Sequence, residues 1–169
     1  MSEINISLLE EDQNFSQFEI AENFTCIRFL DDNKERFELE FNLEKGTSFN
    51  TFLIRNNEEL FIIYPPEKQY LNSFNEIISN FFKQFKLKKI NVISGHINPQ
   101  IIETIKNVNK QFKDLTITCS NPGVKLISEL WNQRNPNLKD FVKTQLPKIN
   151  IVKKELNLEL SNIFSNFKF

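Results

Sequence analysis

The chain is poor in the residue types that most catalytic and metal sites use. Its 169 residues include one histidine (His96), two cysteines and three glycines. A metal site needs several His, Cys, Asp or Glu side chains in one pocket, and no second histidine exists to join His96. The glycines are isolated, so no phosphate-binding loop is present, and no G-x-S-x-G nucleophile turn occurs. The residues alone therefore predict no catalytic residues and no resident metal.

The sequence also lacks an excess of one charge and any long apolar run. A net charge of −1 predicts no nucleic-acid partner. No apolar stretch approaches the roughly 18 residues that span a bilayer, and the acidic start does not resemble a signal peptide, so we expect no membrane partner and a cytoplasmic location. Cys26 and Cys119 lie in strand-like runs without CxxC spacing. This pattern predicts reduced core cysteines rather than a disulfide or a redox pair.

Short apolar runs dominate the first part of the chain. Residues 1–17 are polar and weakly patterned, which predicts a loosely ordered N-terminal arm, and residues 18–169 form the domain. Runs rich in Phe, Ile and Leu then alternate with turn-like breaks, which predicts an antiparallel meander with one buried face. The predicted strands are Thr25–Leu30, Arg36–Phe41, Ser48–Arg55 and Glu59–Tyr64.

After Pro65 and Pro66 the apolar residues recur at spacings of three and four, which is typical of amphipathic helices. Helices are expected over Tyr70–Phe82, over Pro99–Phe112 and from Ser120 or Asn121 onward. Strands are expected at Lys89–Ile93, at LTITCS, at Ile149–Val152 and at Leu156–Leu160. This order predicts an α/β (α+β) fold in which helices cover one face of a mixed sheet.

The stretch SGHINPQ, Ser94 to Gln100, lies between a predicted strand and a predicted helix. Asn98 is a favoured helix N-cap and Pro99 suits the first helical position. On this interpretation Asn98 satisfies backbone N–H groups and His96 is a loop residue. The alternative is that His96 is a ligand or a catalyst, as residues at strand ends of α/β enzymes often are.

Several stretches together resemble the flavodiiron proteins, most closely the diflavin type of oxygenic phototrophs. The stretch RFELEFNLEKGTSFNTFLIRNNEELFIIYPP is similar to the start of their metallo-β-lactamase-like domain. KKINVISGHINPQIIETIK lies where that family has its metal-binding loop, and LTITCSNPGVKLI is similar to the next strand and helix. The resemblance implies half of an αββα sandwich, so residues 18–169 are expected to be a truncated metallo-β-lactamase-like domain.

The resemblance also implies which positions once bound metal. The family's loop reads H-x-E-x-D-H, and this places its donors at His96, Asn98, Gln100 and Ile101. Only His96 keeps the family's residue type. Amides offer neutral oxygen atoms where iron is held by carboxylates, and Ile offers no donor. The family implies di-iron and FMN, but we predict no cofactor for this chain and no metal at these four relic positions, and the sequence identifies no other binding residues.

Three functions follow as hypotheses. The first is a non-catalytic, metal-free flavodiiron-like protein that acts by association, either with itself or with an intact flavodiiron homologue. The second, implied by the resemblance, is a segment of an oxidoreductase that passes electrons from NAD(P)H through FMN to oxygen. The third is a small-molecule binding module that uses the loops around His96 and Ser120–Gly123.

Overall fold

A computed structural model describes residues 15–31, 36–37, 41–42, 46–131 and 146–152. Within these ranges the chain forms nine strands, one short 3-10 helix and three α-helices. The strands are β1 Phe15–Ala21, β2 Phe24–Asp31, β3 Arg36–Phe37, β4 Phe41–Asn42, β5 Thr47–Asn56, β6 Glu59–Ile63, β7 Lys89–Ser94, β8 Leu115–Ser120 and β9 Lys148–Val152. The helices are α1 Leu71–Phe85, α2 Pro99–Gln111 and α3 Asn121–Trp131, and the 3-10 turn is Lys68–Tyr70.

Seven strands form one mixed sheet in the order β1-β2-β5-β6-β7-β8-β9. The pairs from β1 to β6 are antiparallel, and those from β6 to β9 are parallel. Each of the three parallel pairs requires a crossover connection, and α1, α2 and α3 lie on one connection each. Within the described ranges, strands β3 and β4 pair only with each other, in a separate two-stranded ribbon.

The main core lies between the sheet and the three helices. Helix α1 buries one apolar stripe, made of Phe74, Ile77, Ile78 and Phe81, because its apolar residues recur at helical spacing. Alternate strand residues meet these helices, since successive side chains of a strand point to opposite faces. The strand residues of this cluster are Ile27, Phe29, Leu53, Leu60, Ile62, Ile90, Val92, Leu115, Ile117 and Cys119.

The opposite face of the sheet, here called the open face, carries the other half of the strand residues. Ile54 is 2% exposed there, and Phe24, Phe61 and Ile63 pack around it. The rings of Phe24 and Phe52 lie 5.9 Å apart between centroids. None of the three described helices contributes to this second cluster. The two faces are therefore both apolar near the middle of the sheet, but the described helices cover only one.

The predicted fold class is confirmed, and so are the helices and most of the strands. The prediction was wrong at the N-terminus, where residues 15–17 belong to β1 instead of an arm. Phe15 packs its ring 6.0 Å from that of Phe29, and β1 pairs with β2 along its length. Residues 1–14 and the predicted strand Leu156–Leu160 lie outside the described residues.

The predicted strand Arg36–Phe41 was also wrong as a member of the main sheet. Its first two residues form β3, and Phe41 begins β4, with Phe37 opposite Phe41 in the ribbon. The place beside β2 is taken by β5, through eight consecutive pairs from Phe24–Ile54 to Asp31–Thr47. Alternation of apolar residues fits either sheet, so the pattern did not distinguish them.

No helix within the described ranges is long and apolar enough to cross a membrane.

Replacing Leu53 by Ala should lower the free energy of unfolding by about 3 kcal/mol, since truncating a fully buried leucine leaves a cavity. Leu53 is 0% exposed on the central strand β5. Leu30→Ala is the matched control, because Leu30 is 41% exposed and should lose less than about 1 kcal/mol. Urea denaturation followed by circular dichroism measures both, and equal losses would contradict the assigned core.

Candidate functional site at the strand ends

The parallel strands end together at one edge of the sheet, where α/β proteins commonly bind ligands. Strand β7 ends at Ser94, β8 at Ser120 and β9 at Val152. A cavity of about 230 Å³ lies at these ends. Its lining contains no charged side chain and consists of Ile63, Tyr64, Ile93, Ser94, Gly95, Thr118, Cys119, Ser120 and Val152.

Tyr64 sits at the mouth of this cavity in a left-handed backbone conformation, with φ 56°. Two hydrogen bonds hold it there. Its N–H donates to the Ile93 carbonyl at 3.0 Å, and the buried Thr51 hydroxyl donates to the Tyr64 carbonyl at 2.7 Å. A residue that precedes proline normally adopts an extended conformation, so this strained backbone at Tyr64 could not be predicted from the sequence.

Two glycines allow the loops at this edge to pack closely. A Cβ on Gly95 would lie 3.1 Å from the Tyr64 hydroxyl, and one on Gly123 would lie 3.2 Å from Ile97 Cγ1 and 3.3 Å from Cys119 Sγ. These distances are tighter than most side-chain contacts. Both glycines therefore serve packing, and neither belongs to a phosphate-binding motif.

The loop after β7 is held by its own polar groups. Ser94 is 1% exposed, and its hydroxyl donates to the His96 carbonyl. Asn98 is the N-cap of α2, as predicted: its Oδ1 accepts from the Ile101 N–H at 2.9 Å, and Pro99 occupies the first helical position. His96 is solvent-exposed, and it takes part in this network through its backbone carbonyl.

The four relic positions do not share one environment. The side chains of His96 and Gln100 are exposed, Asn98 is half-buried and bonded to the helix backbone, and Ile101 is 2% exposed inside the main core. Across the described part of the chain, no group of three or more His, Cys, Asp or Glu side chains is placed to hold a metal ion.

The second loop at this edge begins at Ser120, whose Oγ accepts from the Gly123 N–H at 3.4 Å. This is a long bond, but it supports the predicted cap at the start of α3.

Both cysteines are buried and free. Cys119, which precedes Ser120, is 2% exposed, and Cys26 is also buried. Burial raises the pKa of both thiols, and at Cys119 it is the sole cause of the rise. The prediction of core cysteines is confirmed, and a raised pKa makes them poor nucleophiles.

No protein-family model matches the chain. Diflavin flavoprotein A 6 of Nostoc sp. is 35% identical over 105 residues, which cover 62% of this chain and 18% of that protein. Diflavin flavoprotein A 1 of Synechocystis sp. is 33% identical over 114 residues, which cover 68% of this chain and 19% of that protein. This chain is a flavodiiron homologue.

Solved structures agree with this assignment. The metal-soaked Flv1 flavodiiron core from Synechocystis sp. matches with a TM-score of 0.69 and 24% identity, over 88% of this chain and 34% of that one. The fragment 1–254 of diflavin flavoprotein A 5 from Nostoc sp. matches with a TM-score of 0.68 and 25% identity, over 89% of this chain and 54% of that fragment. The flavodiiron homologue thus has the fold of their metallo-β-lactamase-like cores. It spans about a fifth of the length of the two related diflavin flavoproteins named above.

The residues at the relic positions do not fit a di-iron centre. Iron in such sites is held by imidazole and carboxylate, and of the four positions only His96 offers either. The one amide oxygen of Asn98 already accepts a backbone N–H. Ile101 belongs to the same core cluster as Ile105 and Trp131, so its side chain faces away from the loop's exposed groups.

Asn98→Ala should lower the free energy of unfolding by about 1 kcal/mol, because the Ile101 N–H loses its acceptor. Asn98→Asp keeps an oxygen in place and should retain nearly full stability. Equal losses in the two variants, measured by urea denaturation, would show that the cap is unimportant.

Proposed function

We propose that this flavodiiron homologue is a metal-free, non-catalytic member of its family that acts by association with another protein. The observation that carries the proposal is the state of the His96 loop. Two positions that hold iron ligands in the family have other tasks in this chain. Asn98 caps helix α2, and Ile101 is buried in the core. Of the four positions, only His96 still offers the imidazole or carboxylate by which iron is held.

The open face of the sheet supports association. Large side chains near its centre, among them Phe52, Phe61 and Ile63, stay half-buried without a helix from the described ranges over them. Contiguous apolar surface of this kind is costly in water and commonly marks an interaction site. At roughly 25 cal/mol per Å², covering even a few hundred Å² would contribute several kcal/mol to binding. The partner we propose is a second copy or an intact flavodiiron homologue.

A second candidate is the oxidoreductase function that the names of the relatives suggest. The related proteins are diflavin flavoproteins, and this chain covers only 18–19% of the two described above. In a longer or assembled protein, flavin would supply electron transfer from NAD(P)H toward oxygen. The described residues would then contribute the scaffold and the loops at the strand ends. The third hypothesis, a small-molecule module at the cavity beside Tyr64, stays a prediction.

Iron analysis tests the first proposal against the second. The protein, purified without chelator and incubated with ferrous iron under anaerobic conditions, should retain far less than one iron per chain after desalting, because one imidazole cannot hold iron tightly. The flavo di-iron protein from Thermotoga maritima, treated identically, serves as the positive control. Iron in an amount matching a di-iron site would contradict the metal-free proposal.

Light scattering after size exclusion tests association. At tens of micromolar the chain should have a mass above that of its 20.1 kDa monomer, or should form a complex when mixed with an intact diflavin flavoprotein. Phe61→Lys places a charge beside Ile54 on the open face and should abolish either species. Gln84→Lys, on the helix-covered side, is the control and should change neither. A monomer that binds no homologue would refute association.

A further inference from the structure

We propose that a second copy of this chain covers part of the open face, and that the two copies are related by a two-fold axis running along the strands between β2 and β5. This arrangement rests on the proposed function, in which the chain acts by association. Of the two partners proposed above, it selects a second copy. The register of the strands and the distribution of polar side chains support it.

The open-face side chains form rows across the sheet, because directly paired residues of neighbouring strands point to the same face. One row runs from β2 to β9 as Phe24, Ile54, Phe61, Asn91, Thr116 and Lys148. The next row runs from β1 to β9 as Phe18, Cys26, Phe52, Ile63, Ile93, Thr118 and Asn150. The open face therefore has an apolar half on β1, β2, β5 and β6 and a polar half on β7, β8 and β9, with Ile93 at the border.

The polar half begins with a network of charged and amide groups. Glu59 accepts from Asn91 Nδ2 at 2.7 Å and from Lys89 Nζ at 3.0 Å, and Asn91 is 9% exposed. Lys148 and Asn150 are exposed on β9. Burying such groups under an apolar partner costs free energy unless each finds a new hydrogen bond. A partner held by apolar contacts should therefore cover the apolar half and leave the polar half uncovered.

Two orientations of a second copy keep the strands of the packed sheets aligned, as face-to-face sheets commonly are. A two-fold axis across the strands places each polar half over the other and so buries both. An axis along the strands, between β2 and β5, places β2 over β5 of the second copy and β1 over β6. The two apolar halves then meet, and each polar half projects beyond the β1 edge of the other copy. The second orientation is the one we propose.

Side chains of different size meet in this orientation, because an axis along the strands keeps each row over the same row of the second copy. The residues that face each other are Cys26 and Phe52, Phe24 and Ile54, and Phe18 and Ile63. Each contact joins an aromatic ring to a smaller side chain. The inner faces of two packed sheets interdigitate in this way.

The charges of the apolar half also fit a second copy. Arg28 projects from β2 beside the apolar rows, and its Nε donates to Asn50 Oδ1 at 3.1 Å. Since β2 lies over β5 of the second copy, Arg28 meets Asn50 of that copy rather than a second arginine. The net charge of −1 opposes self-association only weakly. The open face is thus self-complementary, which a two-fold interface between identical chains requires.

Distances between spin labels on the two copies test the orientation. Asn150→Cys labels β9 and Ser48→Cys labels β5, both at exposed positions of the open face. Strand β9 is four places from β5 in the sheet, so at about 4.8 Å per strand the two labels at position 150 should lie roughly 40 Å apart. The labels at position 48 lie beside the axis and should be within about 20 Å of each other. The unmodified chain, treated with the same reagent, measures any labelling of the buried Cys26 and Cys119.

The outcomes separate this arrangement from the proposed function. Labels at position 150 within about 20 Å of each other would indicate an axis across the strands and would overturn it. Long distances at both positions would place the contact on another surface and would also overturn it. A chain that stays monomeric but binds an intact diflavin flavoprotein would contradict only the second copy as partner. A chain that binds neither itself nor a homologue would contradict the proposed function as well.

Two lysine substitutions in one row test where the second copy ends. Ile63→Lys lies in the apolar half and should raise the dimer Kd more than about tenfold, because the added charge is buried without a partner. Asn150→Lys is the matched control in the polar half and should change the Kd less than about threefold. Sedimentation equilibrium measures both, and circular dichroism checks that both variants fold. If Ile63→Lys does not fold, Ile63→Ala should still raise the Kd several-fold. Equal effects at positions 63 and 150 would overturn the arrangement.

Discussion

The alternation of side chains along β-strands is the constraint on which the rest of the structure depends. Each strand of the seven-stranded sheet sends half of its residues to the helices and half to the open face. Near the centre of the sheet the strands carry large apolar residues on both faces. The three described helices lie on one face and therefore bury only half of these residues. The main core and the apolar open face therefore arise from one pattern, and the association we propose would use the strand residues that the described helices leave uncovered.

Much of the fold could be predicted from the sequence, and the failures have physical causes. Helical spacing identified α2 to within one residue at each end and α1 to within three, because amphipathic helices of 13–15 residues leave a strong signal. The strand Phe15–Ala21 was missed because it is stabilised by pairing with β2 and by the contact of the Phe15 ring with Phe29. Both are tertiary interactions, which a local sequence pattern does not reveal. For the same reason apolar alternation placed Arg36–Phe41 in the wrong sheet.

The candidate site was predictable only in part. The helix start at Asn98 and Pro99 was visible, since capping is a local interaction between neighbours in the chain. The direction of Ile101 into the core and the burial of Ser94 depend on what packs around them, so sequence could name the positions but could not orient them. Tyr64 shows the limit most clearly. Its left-handed backbone is maintained by Thr51 and Ile93, which lie 13 and 29 residues away along the chain.

The order of the strands in the main sheet has a consequence for how this protein is made. Apart from the separate β3–β4 ribbon, each strand pairs with the one before it in the chain, from β1 to β9. None of the described strands has to insert between two that are already paired. A ribosome releases the chain from its N-terminus, so each new strand can add to a finished edge as it emerges, and the sheet grows without rearrangement. Such a sheet always presents its newest strand as an open edge, and until the next strand arrives that edge is the part of the nascent chain most exposed to pairing with other proteins.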